Sequence, residues 1–331
     1  MKRFLVSCVL VLAGSSLRGQ NPPLVLEKTI YLPAVQGKFD HFAVDEAGNR
    51  IFAAATGNKS VEVIDLGSGK ILQSLTGLGK PHGLAWMAST GQLFVADGAS
   101  GVLDLYGGAP LGLVKSIPLS EDADDMVYDA SSGLLYVGHG GSDAAHPGRI
   151  AVIDTKNLTQ KASISATSHP EELEVDKSTD RVFANIADAA EISVIDGRTA
   201  MQSTIWKLTG AKNNVPLAYD EEQHILFVAC RTPARLLVLD GDTGKQLANL
   251  PSDPGADDLF YDAETHQVYL IAGSGAIDVY RTDEKNVKAA GVIHTAAGAK
   301  TGLFVRSRKT LYVGVPGSGE SAASILVYST R

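Results

Sequence analysis

Short apolar runs, divided by turn residues, dominate the chain after residue 20. The runs are rich in Val, Ile, Leu and aromatic residues, and Gly, Asp, Asn and Ser separate them. No helical apolar period persists in this part of the chain, whereas runs of this length and composition are typical of β-strands. The pattern therefore predicts an all-β protein.

An apolar residue followed by an aromatic one recurs seven times at a nearly constant interval. The aromatic positions are Phe52, Phe94, Tyr136, Phe183, Phe227, Tyr269 and Tyr312, with gaps of 42, 42, 47, 44, 42 and 43 residues. In each copy one strand precedes the aromatic strand, and further strands follow it. Four short strands at this period are typical of the blades of a β-propeller. We therefore predict a seven-bladed β-propeller with four-stranded antiparallel blades.

The two ends of the repeat array complement each other. The seventh copy stops after its third strand, and residues 24–33, before the first copy, have the character of a fourth strand. We predict that this N-terminal strand completes the last blade and closes the ring. A solenoid is the alternative, but it would need distinct capping repeats. The predicted domain spans 21–331, with blades at 39–78, 80–119, 121–166, 168–210, 212–252, 254–295, and 298–330 plus 24–33.

The first twenty residues have the pattern of a secretory signal peptide. Lys2 and Arg3 precede an apolar stretch from Phe4 to Gly14, which is too short to span a bilayer. We predict an exported protein, located in a periplasm or outside the cell. Cys230 is then the single remaining cysteine, so we expect strand pairing and packing, and no intramolecular disulfide, to stabilise the fold.

The charge of the chain limits its partners. Loss of the signal segment removes three of the 29 basic residues and takes the formal net charge from −8 to −11. Such a charge opposes polyanions, so nucleic-acid binding is not expected. We expect no membrane span and a monomeric protein.

Several segments of the repeat resemble a known family. The strings "LFVADGASG", "SVEVIDLGSGKILQSLTGLGKPHGLAW" and "LYVGHG" are similar to the YVTN repeat of bacterial YncE-like seven-bladed propellers. The resemblance covers nearly all of the chain after residue 20, although "FVAD", "YVGH" and "FANI" stand where that family has YVTN. It implies the propeller fold and no particular activity, because members of the family need not share one.

Polar residues recur where each blade's first strand enters the channel mouth. Alignment of the seven copies gives one column of Asp40, His82, Asp124, Glu171, Val215, Asp257 and Thr301, and a second column of His41, Gly83, Asp125, Glu172, Pro216, Asp258 and Gly302. The Asp-Asp pairs belong to blades three and six, about 154° apart around a seven-fold ring. The predicted ligand-binding residues are Asp40, His41, His82, Asp124, Asp125, Glu171, Asn214, Asp257, Asp258 and Lys300.

So many carboxylates around one channel mouth would repel each other if all were ionised and unpaired. Proton sharing, the positive charge of Lys300, His41, His82 and His169, or a bound cation would each relieve this repulsion. The predicted metal ligands are Asp40, Asp124, Glu171 and Asp257, with Ca²⁺ as the first choice and Zn²⁺ or Mn²⁺ as the second. Alternatively, Asp125, Glu172 and Asp258 bond backbone amides, because adjacent strand residues point to opposite faces.

Three functions remain open on the sequence alone. The first is a binding protein that holds a small ligand or a peptide at an acidic channel mouth, and it ranks first because no complete catalytic constellation is present. The second is a metal-dependent hydrolase similar to the lactonase propellers, using Asp40, Glu171, Asn214 and Asp257. The third is a structural protein-interaction module. Arg231 and Arg235 lie in the loop between the second and third strands of blade five. We expect them to bind a substrate carboxylate, to be solvated, or to pair with a neighbouring blade.

Overall fold

The computed structural model describes residues 22–319 and 321–331. In this part of the chain, 28 strands form seven four-stranded sheets in which consecutive strands pair in antiparallel fashion. The predicted seven-bladed β-propeller is therefore confirmed. The predicted signal segment, residues 1–20, lies outside the described residues.

The first three blades follow the chain in simple order, each starting with its innermost strand. Blade one contains β2 (Phe42–Asp45), β3 (Arg50–Ala55), β4 (Ser60–Asp65) and β5 (Ile71–Leu75). Blade two contains β6 (Pro81–Met87), β7 (Gln92–Asp97), β8 (Val102–Gly107) and β9 (Gly112–Pro118). Blade three contains β10 (Met126–Asp129), β11 (Leu134–His139), β12 (Arg149–Asp154) and β13 (Thr159–Ser165).

Blades four to six repeat the same order. Blade four contains β14 (Pro170–Asp176), β15 (Arg181–Ile186), β16 (Glu191–Asp196) and β17 (Met201–Lys207). Blade five contains β18 (Lys212–Asp220), β19 (Ile225–Thr232), β20 (Ala234–Asp240) and β21 (Gln246–Pro251). Blade six contains β22 (Ala256–Asp262), β23 (Gln267–Ala272), β24 (Ala276–Asp283) and β25 (Asn286–His294). Among the residues that the structure describes, two short 3₁₀ helices span Thr56–Asn58 and Arg306–Arg308.

The seventh blade joins the two ends of the described chain. Its strands are β26 (Gly302–Val305), β27 (Thr310–Val315), β28 (Ala323–Thr330) and β1 (Leu24–Leu32). β1 is the outermost strand and pairs with β28 from Leu24 opposite Thr330 to Leu32 opposite Ala323. The predicted ring closure by the N-terminal strand is therefore confirmed.

The hydrophobic core lies between neighbouring blades, with one apolar cluster at each of the seven junctions. The seven repeat aromatics are all buried in the second strands of their blades. Several contact the first strand of the next blade, as Phe52 does with Trp86 at a ring-centroid distance of 5.1 Å. Cys230 is a free, buried residue of the cluster between blades four and five. The repeated aromatic therefore joins adjacent blades.

The described residues include no helix that is long and apolar enough to cross a membrane.

Candidate functional site

A cavity of about 200 Å³ lies where the chain enters the innermost strands of the blades. Six of the seven residues in the first predicted column line it: Asp40, His82, Asp124, Glu171, Val215 and Asp257. Thr301, the seventh, is buried outside the lining. The repeat therefore brings residues up to about 220 positions apart into one small polar volume.

Register shifts in the innermost strands help to place these side chains. Pairing with the second strand is interrupted between Pro81 and Leu84, between Pro170 and Leu173, and between Ala256 and Asp258. A bulge inserts residues that do not pair and turns the strand locally. His82, Glu171 and Asp257 lie inside these three interruptions. The bulges, and not the alternation of a regular strand, therefore determine the direction of their side chains.

His82 connects the carboxylates of blades one and three. Only 4% of the residue is exposed, and its Nδ1 contacts Asp40 and lies 3.3 Å from Oδ1 of Asp124. Burial raises the pKa of Asp40, but the hydrogen bond with His82 and the charge of His41 outweigh it, so the pKa is lowered. Asp40 is therefore held ionised beside the imidazole.

His169 approaches Asp124 from the opposite side. Its Nε2 lies 3.2 Å from Oδ2 of Asp124, and its Nδ1 is 2.5 Å from the carbonyl oxygen of Gly140. Burial alone would lower the pKa of His169, but the hydrogen bond and charge of Asp124 raise it to about 9. Burial and the charge of Asp124 raise the pKa of Glu171 to about 7. Asp124 is thus shared between two histidines, with one carboxylate oxygen facing each.

Blades five to seven contribute a different chemistry. Asp257 forms ion pairs with Arg231 and Lys300, and Arg231 also donates from Nε to the carbonyl oxygen of Ala256 at 2.8 Å. Arg231 therefore pairs with the neighbouring blade, one of the two roles expected from the sequence. Arg235, from the same hairpin, does not line the cavity.

The structure does not gather the four predicted metal ligands into one set. Two groups of potential ligand atoms, each within 4.8 Å, meet at the cavity: Asp40 with His82 and Asp124, and Asp124 with His169 and Glu171. Asp257 belongs to neither, because Arg231 and Lys300 draw its carboxylate to the other side. Two histidines take the place that the sequence prediction gave to Asp257.

Three carboxylates of the second predicted column join neighbouring blades. Oδ2 of Asp125 accepts the backbone N–H of Leu173 at 3.0 Å, and the carboxylates of Glu172 and Asp258 accept those of Leu217 and Gly302 at 2.8 and 2.5 Å. Each bond runs from one blade to the innermost strand of the next: from blade three to four, from four to five, and from six to seven. The amide-bonding alternative for these three residues is therefore confirmed, with the bonds made between blades.

The two opposed Asp-Asp pairs meet at His41. Its Nε2 lies 3.8 Å from Oδ1 of Asp125, and its Nδ1 lies 3.5 Å from Oδ1 of Asp258. Burial would lower the pKa of His41, but the surrounding carboxylates raise it well above its usual value. Burial raises the pKa of Asp258 to about 7. Asp125 and Asp258 do not line the cavity; they lie beneath it, on either side of the His41 ring.

Asn214 is the third predicted ligand residue, after Asp125 and Asp258, that does not line the cavity. It is completely buried and donates from Nδ2 to Oδ1 of Asn185 at 2.7 Å and to the carbonyl oxygen of Glu191 at 2.9 Å. The register shift between Asn214 and Leu217 explains the difference, because Val215 and Pro216 lie in the bulge and Asn214 turns towards blade four.

The sequence prediction missed three charged residues of the lining, Lys38, Lys80 and Asp122. Each lies two residues before a member of the first column, as His169 also does, and residues two apart in an extended chain share a face. Lys80 and Asp122 form an ion pair at 2.7 Å. With Lys38, Lys80, Arg231 and Lys300 in its wall, the channel mouth carries both charges and is not simply acidic.

No family model matches the sequence, and no curated protein matches it. Several solved structures share the fold. One, described as "Crystal Structure of Mitotic Checkpoint Complex", has a TM-score of 0.78 at 12% identity and covers 99% of this chain and 100% of that chain. A second, "Kuenenia stuttgartiensis Hydrazine Synthase", has a TM-score of 0.78 at 15% identity, covering 89% and 96%. "Structure of U3-55K" has a TM-score of 0.74 at 12% identity, covering 90% and 98%. At these identities the likeness defines the class as β-propeller and goes no further.

Proposed function

We propose that this protein binds a small carboxylate-bearing molecule at the channel mouth. The observation that carries the proposal is the cavity of about 200 Å³, whose wall presents Arg231 and Lys300 on blades five and seven. A guanidinium group offers a planar pair of donors that matches a carboxylate, and a concave site with a few convergent polar groups is the usual form of a ligand site. The cavity has room for a small molecule or for one side chain of a peptide.

The cavity can accept an anionic ligand although many carboxylates line it, because basic side chains also line it. Lys38, Lys80, Arg231 and Lys300 place four basic side chains in the lining. Burial and the neighbouring carboxylates Asp258 and Asp125 raise the pKa of Glu172 well above its usual value, which favours the neutral form of this group. An incoming carboxylate would take over part of the pairing that Asp257 now provides to Arg231 and Lys300.

The test uses melting temperature in EDTA, with acetate, malonate, malate and glutamate as probes. A ligand that binds only the folded protein at about a hundred times its Kd adds roughly 2.7 kcal/mol to the free energy of unfolding. We expect at least one dicarboxylate or amino acid to raise the melting temperature. Arg231→Gln removes the paired donors of the guanidinium group. The variant should therefore need at least about ten times more ligand for the same rise in melting temperature. Arg235→Gln, from the same hairpin, should leave it unchanged. If no probe acts at 10 mM, or if both variants behave alike, the proposal is wrong.

Metal-dependent hydrolysis is a second candidate. It is favoured by the two His-carboxylate groups on blades one to four, which face the cationic side across the cavity. An ion held there would polarise an ester or lactone carbonyl whose carboxylate is bound by Arg231. Hydrolysis of lactone and ester probes should then require added Zn²⁺ and disappear in Asp124→Asn.

A protein-interaction role is a third candidate. One structural neighbour comes from the mitotic checkpoint complex, which is an assembly of proteins. The outer strands of this chain expose large apolar side chains, including Leu113 on β9 and Met201 on β17, at 57% and 66%. If these strands bind a partner protein, Leu113→Lys and Met201→Lys should abolish the complex and Arg231→Gln should not.

We also propose that the chain is a divergent, exported and monomeric member of the YVTN-repeat family. The quoted repeat segments support the family, and Lys2, Arg3 and the apolar stretch that follows support export. Cell fractionation and size-exclusion chromatography of the mature protein test the last two statements.

A further inference from the structure

The side of the cavity formed by blades one to four collects five potential metal ligands. They form two groups, Asp40 with His82 and Asp124, and Asp124 with His169 and Glu171, and the ligand atoms of each group lie within 4.8 Å of one another. Asp124 belongs to both, with Oδ1 3.3 Å from Nδ1 of His82 and Oδ2 3.2 Å from Nε2 of His169. A carboxylate placed in this way can bind through either oxygen.

The ring of His169 is oriented as a metal-binding imidazole is. Its Nδ1 lies 2.5 Å from the carbonyl oxygen of Gly140, which can only accept, so Nδ1 carries a proton and Nε2 faces Asp124. Metal-binding histidines generally donate their second ring N–H to a carbonyl or carboxylate in this manner, which fixes the tautomer and the ring plane. This contact is independent of the clustering of the carboxylates.

His82 is fixed by packing. The residue is 4% exposed, with Nδ1 directed at Asp40 and Asp124. A Cβ atom at Gly98 would come within 3.0 Å of its Cδ2 atom, so glycine leaves the space that the ring occupies. The two imidazoles thus reach the shared carboxylate from blades two and four, at positions that buried neighbours determine.

We propose that Asp40, His82, Asp124, His169 and Glu171 form a site for a divalent transition-metal ion of the Zn²⁺ class. Imidazole nitrogen with carboxylate oxygen suits Zn²⁺ or Mn²⁺, whereas Ca²⁺ prefers ligand sets made entirely of oxygen. The order of metals expected from the sequence is therefore reversed. This site shares the cavity with the proposed carboxylate ligand, but it needs no ligand to be occupied, so the two proposals can fail separately.

The test measures binding of metal alone to tag-free protein that has been stripped with EDTA and dialysed. Competition with a chromophoric chelator gives the Zn²⁺ affinity and stoichiometry, and Co²⁺ substitution gives a visible spectrum that reports nitrogen ligation. We expect one Zn²⁺ ion at this site in each chain, bound at least about a hundredfold more tightly than Ca²⁺. Asp124→Asn removes the shared ligand and should weaken Zn²⁺ binding at least about a hundredfold, since even residues that only support a ligand change affinity by about 10–100-fold.

Three further variants make the outcome decisive. His169→Gln, a second loss of a ligand, should weaken binding and change the Co²⁺ spectrum, while circular dichroism verifies that the variants are folded. Asp257→Asn, across the same cavity, should alter Zn²⁺ affinity less than about threefold, because Asp257 is not one of the proposed ligands. His146→Gln removes one ligand from a separate group, Glu121, Asp143 and His146, that could also hold an ion. The proposal is overturned if wild-type protein binds no Zn²⁺, if Asp124→Asn and His169→Gln bind like wild type, or if His146→Gln alone abolishes binding.

Discussion

At the scale of single residues, the partly buried carboxyl group of Glu174 makes the free energy of unfolding depend on pH. Burial raises the pKa of Glu174 to about 7 from its usual 4.5, and the charges of Asp125 and Glu221 act in the same direction. Between these two values the folded protein binds more protons than the unfolded chain. The free energy of unfolding therefore falls as pH rises through this window, and it is highest on the acid side.

Glu174→Gln should remove part of this pH dependence, because the amide stays neutral at every pH. We expect urea unfolding in EDTA to show that the wild-type protein loses on the order of 2 kcal/mol more than the variant between pH 5 and pH 8. Glu222→Gln, an exposed carboxyl on the turn after β18, should follow the wild type. Equal pH slopes for Glu174→Gln and wild type would show that Glu174 titrates normally in the folded protein.

At the scale of the strand, the carboxylate-amide bonds between blades stabilise the innermost strands. Asp125 precedes β10, and its Oδ2 accepts the N–H of Leu173 in β14. Asp125→Ala leaves this buried amide without a partner and removes a carboxylate from His41. We expect the free energy of unfolding to fall by about 2 kcal/mol, since an unsatisfied buried donor costs about 1–3 kcal/mol.

Urea denaturation at pH 7 measures the effect, with Asp283→Ala as the matched control. Asp283 is exposed at the end of β24, so its replacement should change stability by less than about 0.5 kcal/mol. Asp125→Asn keeps an acceptor oxygen and should lie between the two. If Asp125→Ala were as stable as Asp283→Ala, the bond to Leu173 would contribute nothing to the fold.

The same strands show how far the sequence could predict the site. Repeat alignment was sufficient to place Asp40, His82 and Asp124 at one mouth, because equal repeats in a closed ring put equivalent positions at equivalent heights. The direction of the Asn214 side chain and the pairing of Asp257 with Arg231 and Lys300 could not be predicted from the alignment. Both depend on bulges in β18 and β22, where pairing skips residues and strand alternation no longer predicts which side chain faces the axis. Lys38 and Lys80 could have been predicted as lining residues, because each lies two residues before a member of the first column.

At the scale of the whole molecule, the fold was predictable because a propeller repeats one local pattern seven times. The aromatic at each second strand, from Phe52 to Tyr312, marks a blade, and the complementary ends mark the closure. Ion pairs between neighbouring blades, such as those of Asp257 with Arg231 and Lys300, join side chains whose spacing carries no periodic signal. The sequence therefore predicts the propeller fold better than it predicts the side-chain contacts at the channel mouth.

Ring closure yields a prediction for two adjacent residues of β1. Leu32 is 1% exposed and packs in the cluster between blades seven and one, whereas Tyr31, its neighbour, is 70% exposed. Leu32→Ala should lower the free energy of unfolding by about 3 kcal/mol, within the usual range for a buried leucine. Tyr31→Ala keeps the pairing with Ser324 and should change it by less than about 0.5 kcal/mol.

Urea unfolding followed by both fluorescence and circular dichroism distinguishes the possible roles of β1. If the strand belongs to the cooperative unit, Leu32→Ala shifts both transitions together, because a ring that opens at blade seven loses the apolar contacts of its neighbours as well. A shift that only one probe detects would mean that blade seven unfolds before the rest. Equal stability of Leu32→Ala and Tyr31→Ala would show that the packing of the closing strand does not stabilise the fold. The contacts between the other blades would then be sufficient to keep the ring closed.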